Sequence, residues 1–161
     1  MLHFTSHIQS PSKLKQVIWT LSNICRTRPH PPFRAIAPIF ETFCNIISQK
    51  IVSDNETLTD LLWGLSQHSE AEQGIRMCIT KGIIPPILEL LREKRVLSII
   101  IPSLRVLGNI ATGTEQQVEV LLQAHPVDTF CLLLHEKNKS VRREVCWLLS
   151  NITVGPVRHT L

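Results

Sequence analysis

Trp and Asn recur four residues apart in this chain, and that pairing is where its chemistry lies. Four pentapeptides carry the pattern: Trp19-Thr-Leu-Ser-Asn23, Trp63-Gly-Leu-Ser-Gln67, Arg105-Val-Leu-Gly-Asn109 and Trp147-Leu-Leu-Ser-Asn151. Residues i and i+4 share one face of a helix. An Asn amide has one acceptor and two donors, so it can pair with both the N–H and the C=O of an extended peptide. Indoles standing side by side leave slots between them. Such a slot suits a long aliphatic stem whose terminal cation gains from the ring faces. Carboxylates at the slot ends would select Lys or Arg, and Asp60, Glu70, Glu115 and Glu144 lie at the ends of the same segments. These residues predict a groove for a basic, extended peptide.

Other chemistry is thinly supported. The five cysteines (25, 44, 78, 131 and 146) include no CxxC and sit among apolar residues, which predicts buried free thiols in a reducing compartment. Cys131 and His135 are the single pair at ligand spacing, so no metal site is expected. Gly-rich phosphate loops and GxSxG are absent, so neither an enzyme nor a cofactor is expected. His30 and His125 precede prolines and read as loop or cap residues; His68 and His135 read as helix-end residues. The apolar stretch Val96 to Leu104 is about half of a membrane span, and Pro102 interrupts it. Net charge is +4, from 17 Lys+Arg against 13 Asp+Glu, and each dense basic run contains an acid. A nucleic-acid array would instead gather Lys and Arg on the groove-lining helices, which carry Trp and Asn.

The elements that must position the pentapeptides repeat with them. The pentapeptide starts lie 44, 42 and 42 residues apart, a period typical of helical arrays. Between them an apolar stripe at i, i+3, i+4, i+7 appears three times: Ile36, Ile39, Phe40 and Phe43; Ile84, Ile87, Leu88 and Leu91; Val127, Phe130, Cys131 and Leu134. Pro38, Pro85, Pro86 and Pro126 are expected in the first turns of these helices. The pentapeptides end further stretches with faces Leu58, Leu61, Leu62 and Leu65; Leu97, Ile100, Ile101 and Leu104; and Val141, Val145, Leu148 and Ile152. Starts are expected at Asp54 or Asn55 and at Asn138 or Ser140, and stops at Gly113 and Gly155. Shorter helices fit Glu70 to Thr80 and Glu115 to Gln123, giving a short, a medium and a long helix per repeat.

A single such unit cannot bury its apolar face, so units must stack. The fold expected is all-α, a right-handed superhelix of about three full repeats plus a partial one over residues 15–161, after an N-terminal segment 1–14 of unclear structure. One side is built from the last helix of every repeat. Trp147 and Asn151 are offset from the stripe of their own helix, which places them off the core. Neighbouring helices sit about 8–10 Å apart and an extended peptide advances about 3.3 Å per residue, so each repeat meets two or three peptide residues.

At these residues the chain resembles the importin alpha (karyopherin alpha) family of armadillo-repeat adaptors. Trp19 to Arg26 followed by Pro31-Pro32 is similar to the family's fourth repeat and Asp60-Leu-Leu-Trp63 to the fifth. Pro102 to Gly113, with Arg105 in place of Trp, is similar to the sixth, and Arg143 to Gly155 to the seventh. The resemblance runs from about Gln16 to Gly155. It implies that Trp19 and Asn23 close one end of a major site for nuclear localisation signals. It assigns Asn109, Thr112, Arg143, Glu144, Trp147 and Asn151 to a minor site, with Glu70 and Glu115 as acids facing signal lysines. Arg26 and Asp60 match a pair bridging repeats, Trp63 a groove wall, and Arg105 a guard against cations between the two sites.

Gln67 stands where the family has Tyr, and Lys50-Ile-Val52 lengthens one interval. The expected partners are basic signal peptides of cargo proteins, in cytoplasm and nucleus, without nucleic acid or membrane. Importin beta binding is not expected, because the segment that carries it is not in this sequence. Open ends of the stack lead us to expect marginal stability or self-association. The alternative is an armadillo-type interaction domain that has lost signal binding.

Overall fold

The starts and stops of the helices follow from a few residues at their ends. The computed structural model describes residues 10–93 and 96–157. Among these lie α1 (Pro11–Arg26), α2 (Phe33–Ser48), α3 (Asn55–Ser66), α4 (Glu72–Thr80), α5 (Ile84–Glu93), α6 (Leu97–Ile110), α7 (Glu115–Gln123), α8 (Val127–Leu134) and α9 (Lys139–Val157), with no strand. Of the expected N-terminal segment, residues 1–9 lie outside the described residues, as do Lys94 and Arg95 of the basic run; α1 begins at Pro11.

Asp54 caps α3 by accepting from the Thr57 N–H at 2.9 Å and its hydroxyl at 2.8 Å. Asn138 caps α9, its side-chain oxygen accepting from Ser140 N–H at 2.9 Å. At α7, Thr114 and Gln117 close a reciprocal capping box. Each satisfies donors that a helix start leaves unpaired.

The stack is an all-α solenoid. Helices α1, α3, α6 and α9 pack side by side in that order, while α2, α5 and α8 pack against α3, α6 and α9 respectively. Between the layers run Phe40, Phe43, Leu61, Leu65, Ile87, Leu104, Leu107, Phe130, Val145 and Leu148, all buried. Each contributes on the order of 1.5–3 kcal/mol by leaving water. Lys81 to Glu41 at 2.7 Å and Lys50 to Glu89 at 2.6 Å tie successive units at the surface.

Several sequence expectations are corrected. The first full repeat has two helices, not three, because α2 runs unbroken through Pro38. Gly82 turns the chain between α4 and α5 with φ +65°, and His125 does so between α7 and α8 with φ 52°. Counting back 44 residues from Gly82, the Trp63-to-Trp19 interval, lands on Pro38, whose ring forbids positive φ. The helix therefore continues, and its buried face extends to Cys44, Ile46 and Ile47.

Gly155 does not stop α9, which continues to Val157; a glycine ends a helix by leaving helical φ, and this one stays helical. Leu97 is exposed, its place in the core taken by Ile99. In α8 the inward residues are Thr129, Phe130 and Leu133, so Val127 and Cys131 face out. Cys146 is exposed as well, beside Trp147 on the outer side of α9. Cys25, Cys44 and Cys78 are buried as expected. A hydrogen bond with Cys44, together with burial, holds the Cys78 thiol well above its ordinary pKa.

Gly74 has no room for a side chain: a Cβ there would lie 2.1 Å from the His68 carbonyl oxygen, which is fixed backbone. We expect Gly74→Ala to cost about 1–3 kcal/mol and lower the thermal midpoint by several degrees, read by circular dichroism. An unchanged midpoint would contradict the packing of α4 against the 66–71 turn.

Candidate functional site

The pentapeptides fall on the last helix of each unit, so α1, α3, α6 and α9 present them as neighbouring rows. Trp19 is 57% exposed and Trp147 40% exposed. Neither is a core residue, although the core faces of their helices are fully buried. Trp63 is half-buried because the next unit covers it: the Arg105 guanidinium stacks 5.5 Å from its ring centre. At Gly108 a Cβ would meet the Trp147 ring at 2.2 Å. The indole of α9 thus rests on bare backbone of α6.

The amides do something the sequence did not reveal. Asn109 Nδ2 donates to the Ser66 carbonyl at 3.0 Å and to Ser69 Oγ at 2.8 Å, and the residue is 8% exposed. Asn151 Nδ2 donates to the Gly108 carbonyl at 3.1 Å. Both carbonyls belong to helix ends, where the last four have no partner within the helix. Each Asn therefore caps the preceding unit. Asn109 has both donors committed and keeps only Oδ1, so it cannot pair with a peptide N–H and C=O together. The side-chain amides of Asn23 and Gln67 make no hydrogen bond among the described residues.

A cleft of about 540 Å³ opens between α3, α6 and α9, lined by Arg28, Ser66, Gln67, Glu70, Arg105, Asn109, Arg143, Glu144 and Trp147. Of the residues expected at the site, it gathers Glu70, Arg105, Asn109, Arg143, Glu144 and Trp147. Trp63 joins through Arg105, while Asn151, bonded to the Gly108 carbonyl, is not among the residues lining the cleft. Trp19, Asn23 and Asp60 lie outside this cleft, on the α1 and α3 rows. Thr112 turns its hydroxyl back onto the Asn109 carbonyl at 2.7 Å, and Glu115 is exposed in the first turn of α7.

Arg28, Ser66 and Gln67 were not singled out as lining. Gln67 was visible only as a break in the Asn pattern, and Arg28 reaches the cleft from the 27–32 loop.

The electrostatics depart from an acid-lined groove. Glu144 is nearly buried and its Oε1 lies 3.3 Å from Arg105 and 4.0 Å from Arg143. That carboxylate is already neutralised, and the cleft holds three arginines against two glutamates. Asp60 is half-buried; burial raises its pKa, opposed chiefly by the charge of Arg26. The two form no direct ion pair, contrary to the expected bridge.

His68, nearly buried beside the cleft, holds Nε2 3.0 Å from the Cys25 carbonyl near the end of α1. Its ring meets that of His30 edge to face at 5.5 Å. Burial lowers its pKa, helped by the charge of His30 and opposed by the Cys25 carbonyl and Glu70. Among the described residues no group of three or more His, Cys, Asp or Glu is placed to hold a metal, and no helix is long and apolar enough to cross a membrane.

Comparison with known proteins follows the same lines. The family model for the armadillo/beta-catenin-like repeat matches residues 114–154. The rice (Oryza sativa subsp. japonica) protein importin subunit alpha-1a is 38% identical over 147 residues, covering 89% of this chain and 27% of that protein. Importin subunit alpha-3 of Arabidopsis thaliana is 37% identical over 140 residues, covering 84% and 25%. The chain thus spans about a quarter of the length of these relatives. Among solved structures, a designed armadillo repeat protein in complex with the peptide (KR)4 superposes with TM-score 0.75 at 19% identity, covering 89% of this chain and 59% of that one. A computationally designed armadillo repeat protein for modular peptide recognition gives TM-score 0.79 at 18% identity, covering 91% and 61%.

Two outcomes are expected. Asn109→Ala orphans the Ser66 carbonyl and costs about 1–3 kcal/mol in chemical denaturation, whereas Asn23→Ala stays within about 0.5 kcal/mol; equal effects would refute the capping assignment. Because the folded state lowers the His68 pKa, folding favours its neutral form. That stability is complete above the unfolded value near 6.5 and declines as pH falls below it. Thermal midpoints from pH 7.5 to 5.5 should fall in the wild type and fall less in His68→Gln.

Proposed function

The chain is an armadillo-repeat relative of the importin alpha subunits over about a quarter of their length, and from this premise we propose that its Trp/Asn face binds basic nuclear localisation signals of cargo proteins as extended peptides. The observation that carries the reading is the exposure of Trp19 and Trp147 at equivalent positions of α1 and α9, off the core faces of both helices. An exposed indole in register with its repeat offers a wall for an aliphatic stem and a ring face for the cation at its end.

The groove is not uniform along its length. At its centre Arg105 occupies the Trp63 ring face and reaches Glu144. It takes up there the indole-and-carboxylate combination that a peptide lysine would use. Cationic side chains are therefore directed to the two ends, toward Trp19, Asn23 and Asp60 on one side and, on the other, toward Asn151, Glu115 and Trp147, which itself borders the arginine-rich cleft on α9. The peptide between them crosses the arginine-rich cleft with uncharged or acidic side chains. The chain acts by holding a peptide, with no bond made or broken, and this role places it in cytoplasm and nucleus.

Fluorescence anisotropy of a labelled peptide with two lysine-rich clusters tests this, against a control with the lysines changed to alanine. We expect binding of the first alone, and a dissociation constant raised about tenfold, roughly 1.4 kcal/mol, in Trp19→Ala or Trp147→Ala. Equal binding of both peptides, or none by folded protein, would overturn the signal-binding reading and favour a different protein partner for this face.

A further inference from the structure

We propose that Gln67 is the side chain that clamps the peptide backbone at the centre of the groove, in place of the Asn that the repeat pattern puts forward. This rests on the signal-binding reading above and adds to it the residue that fixes the middle of the peptide.

The argument starts from the helix ends. Ser66 is the last residue of α3, and its free carbonyl is taken by Asn109. The Gly108 carbonyl near the end of α6 is taken by Asn151. Gln67 holds the same place in its own repeat, and the carbonyl one repeat earlier is that of Ser22, 44 residues before Ser66. Helix α1, however, runs on to Arg26. The Ser22 carbonyl lies one turn inside that helix, where the N–H four residues later takes it. The unpaired carbonyl of α1 is shifted to Cys25, and His68 takes that one at 3.0 Å. The capping duty has passed from position 67 to position 68.

Gln67 is released by this shift. It is half-buried and lines the cleft, and its side-chain amide makes no hydrogen bond among the described residues. Two donors and an acceptor are free on one planar amide, the set needed to hold the N–H and C=O of one extended residue. Asn109, across the same cleft, has both donors committed and is nearly buried. The longer Gln stem also brings its amide farther into the open cleft than an Asn would.

Anisotropy with a series of peptides tests this, each peptide carrying one backbone ester in place of an amide so that a single N–H is lost. Against wild-type protein one ester in the central stretch should weaken binding about three- to tenfold. Gln67→Leu should bind the parent peptide weaker by a similar factor, and the same ester should then cost nothing more. Its thermal midpoint should match that of the wild type, since no internal bond is lost. An undiminished ester penalty in Gln67→Leu, or unchanged affinity for the parent peptide, overturns the assignment. So does a lowered midpoint, which would make Gln67 structural. Failure of wild-type protein to bind the parent peptide would instead refute the signal-binding reading itself, and the clamp with it.

Discussion

Everything in this stack hangs on how a helix end is closed when it is buried against a neighbour. An α-helix leaves its last four carbonyls without partners, and burying one unpaired costs about 1–3 kcal/mol. Here the next unit supplies the donor. His68 reaches the end of α1, Asn109 the end of α3 and Asn151 the end of α6. A hydrogen bond tolerates only a few tenths of an ångström, so each contact also fixes the register of one unit on another. Arg105 and Trp147, one turn before Asn109 and Asn151, inherit that register, and so do the walls of the groove.

This double use explains why the groove is uneven. The residue type that could read a peptide backbone is the one the solenoid needs for its own closure. Where Asn109 closes α3, its amide is turned inward. Where α1 ends a turn later, a histidine does the closing and the neighbouring amide is left open. Arg105 introduces a similar internal use of binding chemistry: it stacks on Trp63 and pairs with Glu144. The Trp63 ring face and the Glu144 carboxylate at the centre of the groove are thereby engaged by Arg105, while Trp19 and Trp147 toward the two ends remain exposed.

The sequence made the repeat legible because its period and its apolar stripes are properties of consecutive residues. Leu58, Leu61, Leu62 and Leu65 all proved buried, as did Ile84, Ile87, Leu88 and Leu91. Asp54 and Asn138 capped where their types said they would. What failed depends on partners far away along the chain. Nothing near Asn109 says that its donors meet Ser66, 43 residues earlier. Nothing near Glu144 says that Arg105 has already neutralised it. Pro38 was read as a helix start because prolines favour first turns. Its effect was the opposite, since a residue confined to negative φ removed the break that Gly82 and His125 supply in later repeats. Cys131 and Cys146 were misplaced because an apolar neighbourhood in sequence does not say which side of a helix is covered.

The seat of Trp147 on Gly108 carries a mechanical consequence. The indole is borne by one helix and supported by the backbone of the preceding one, so each slot width is set by the angle between successive units. Flexing the solenoid would open or pinch every slot along it at once. A peptide fastened at both ends of the row would act as a tie rod under tension, holding the curvature at one value. Occupancy of the groove would then be felt as stiffness on the opposite face of the molecule, with no residue there having moved.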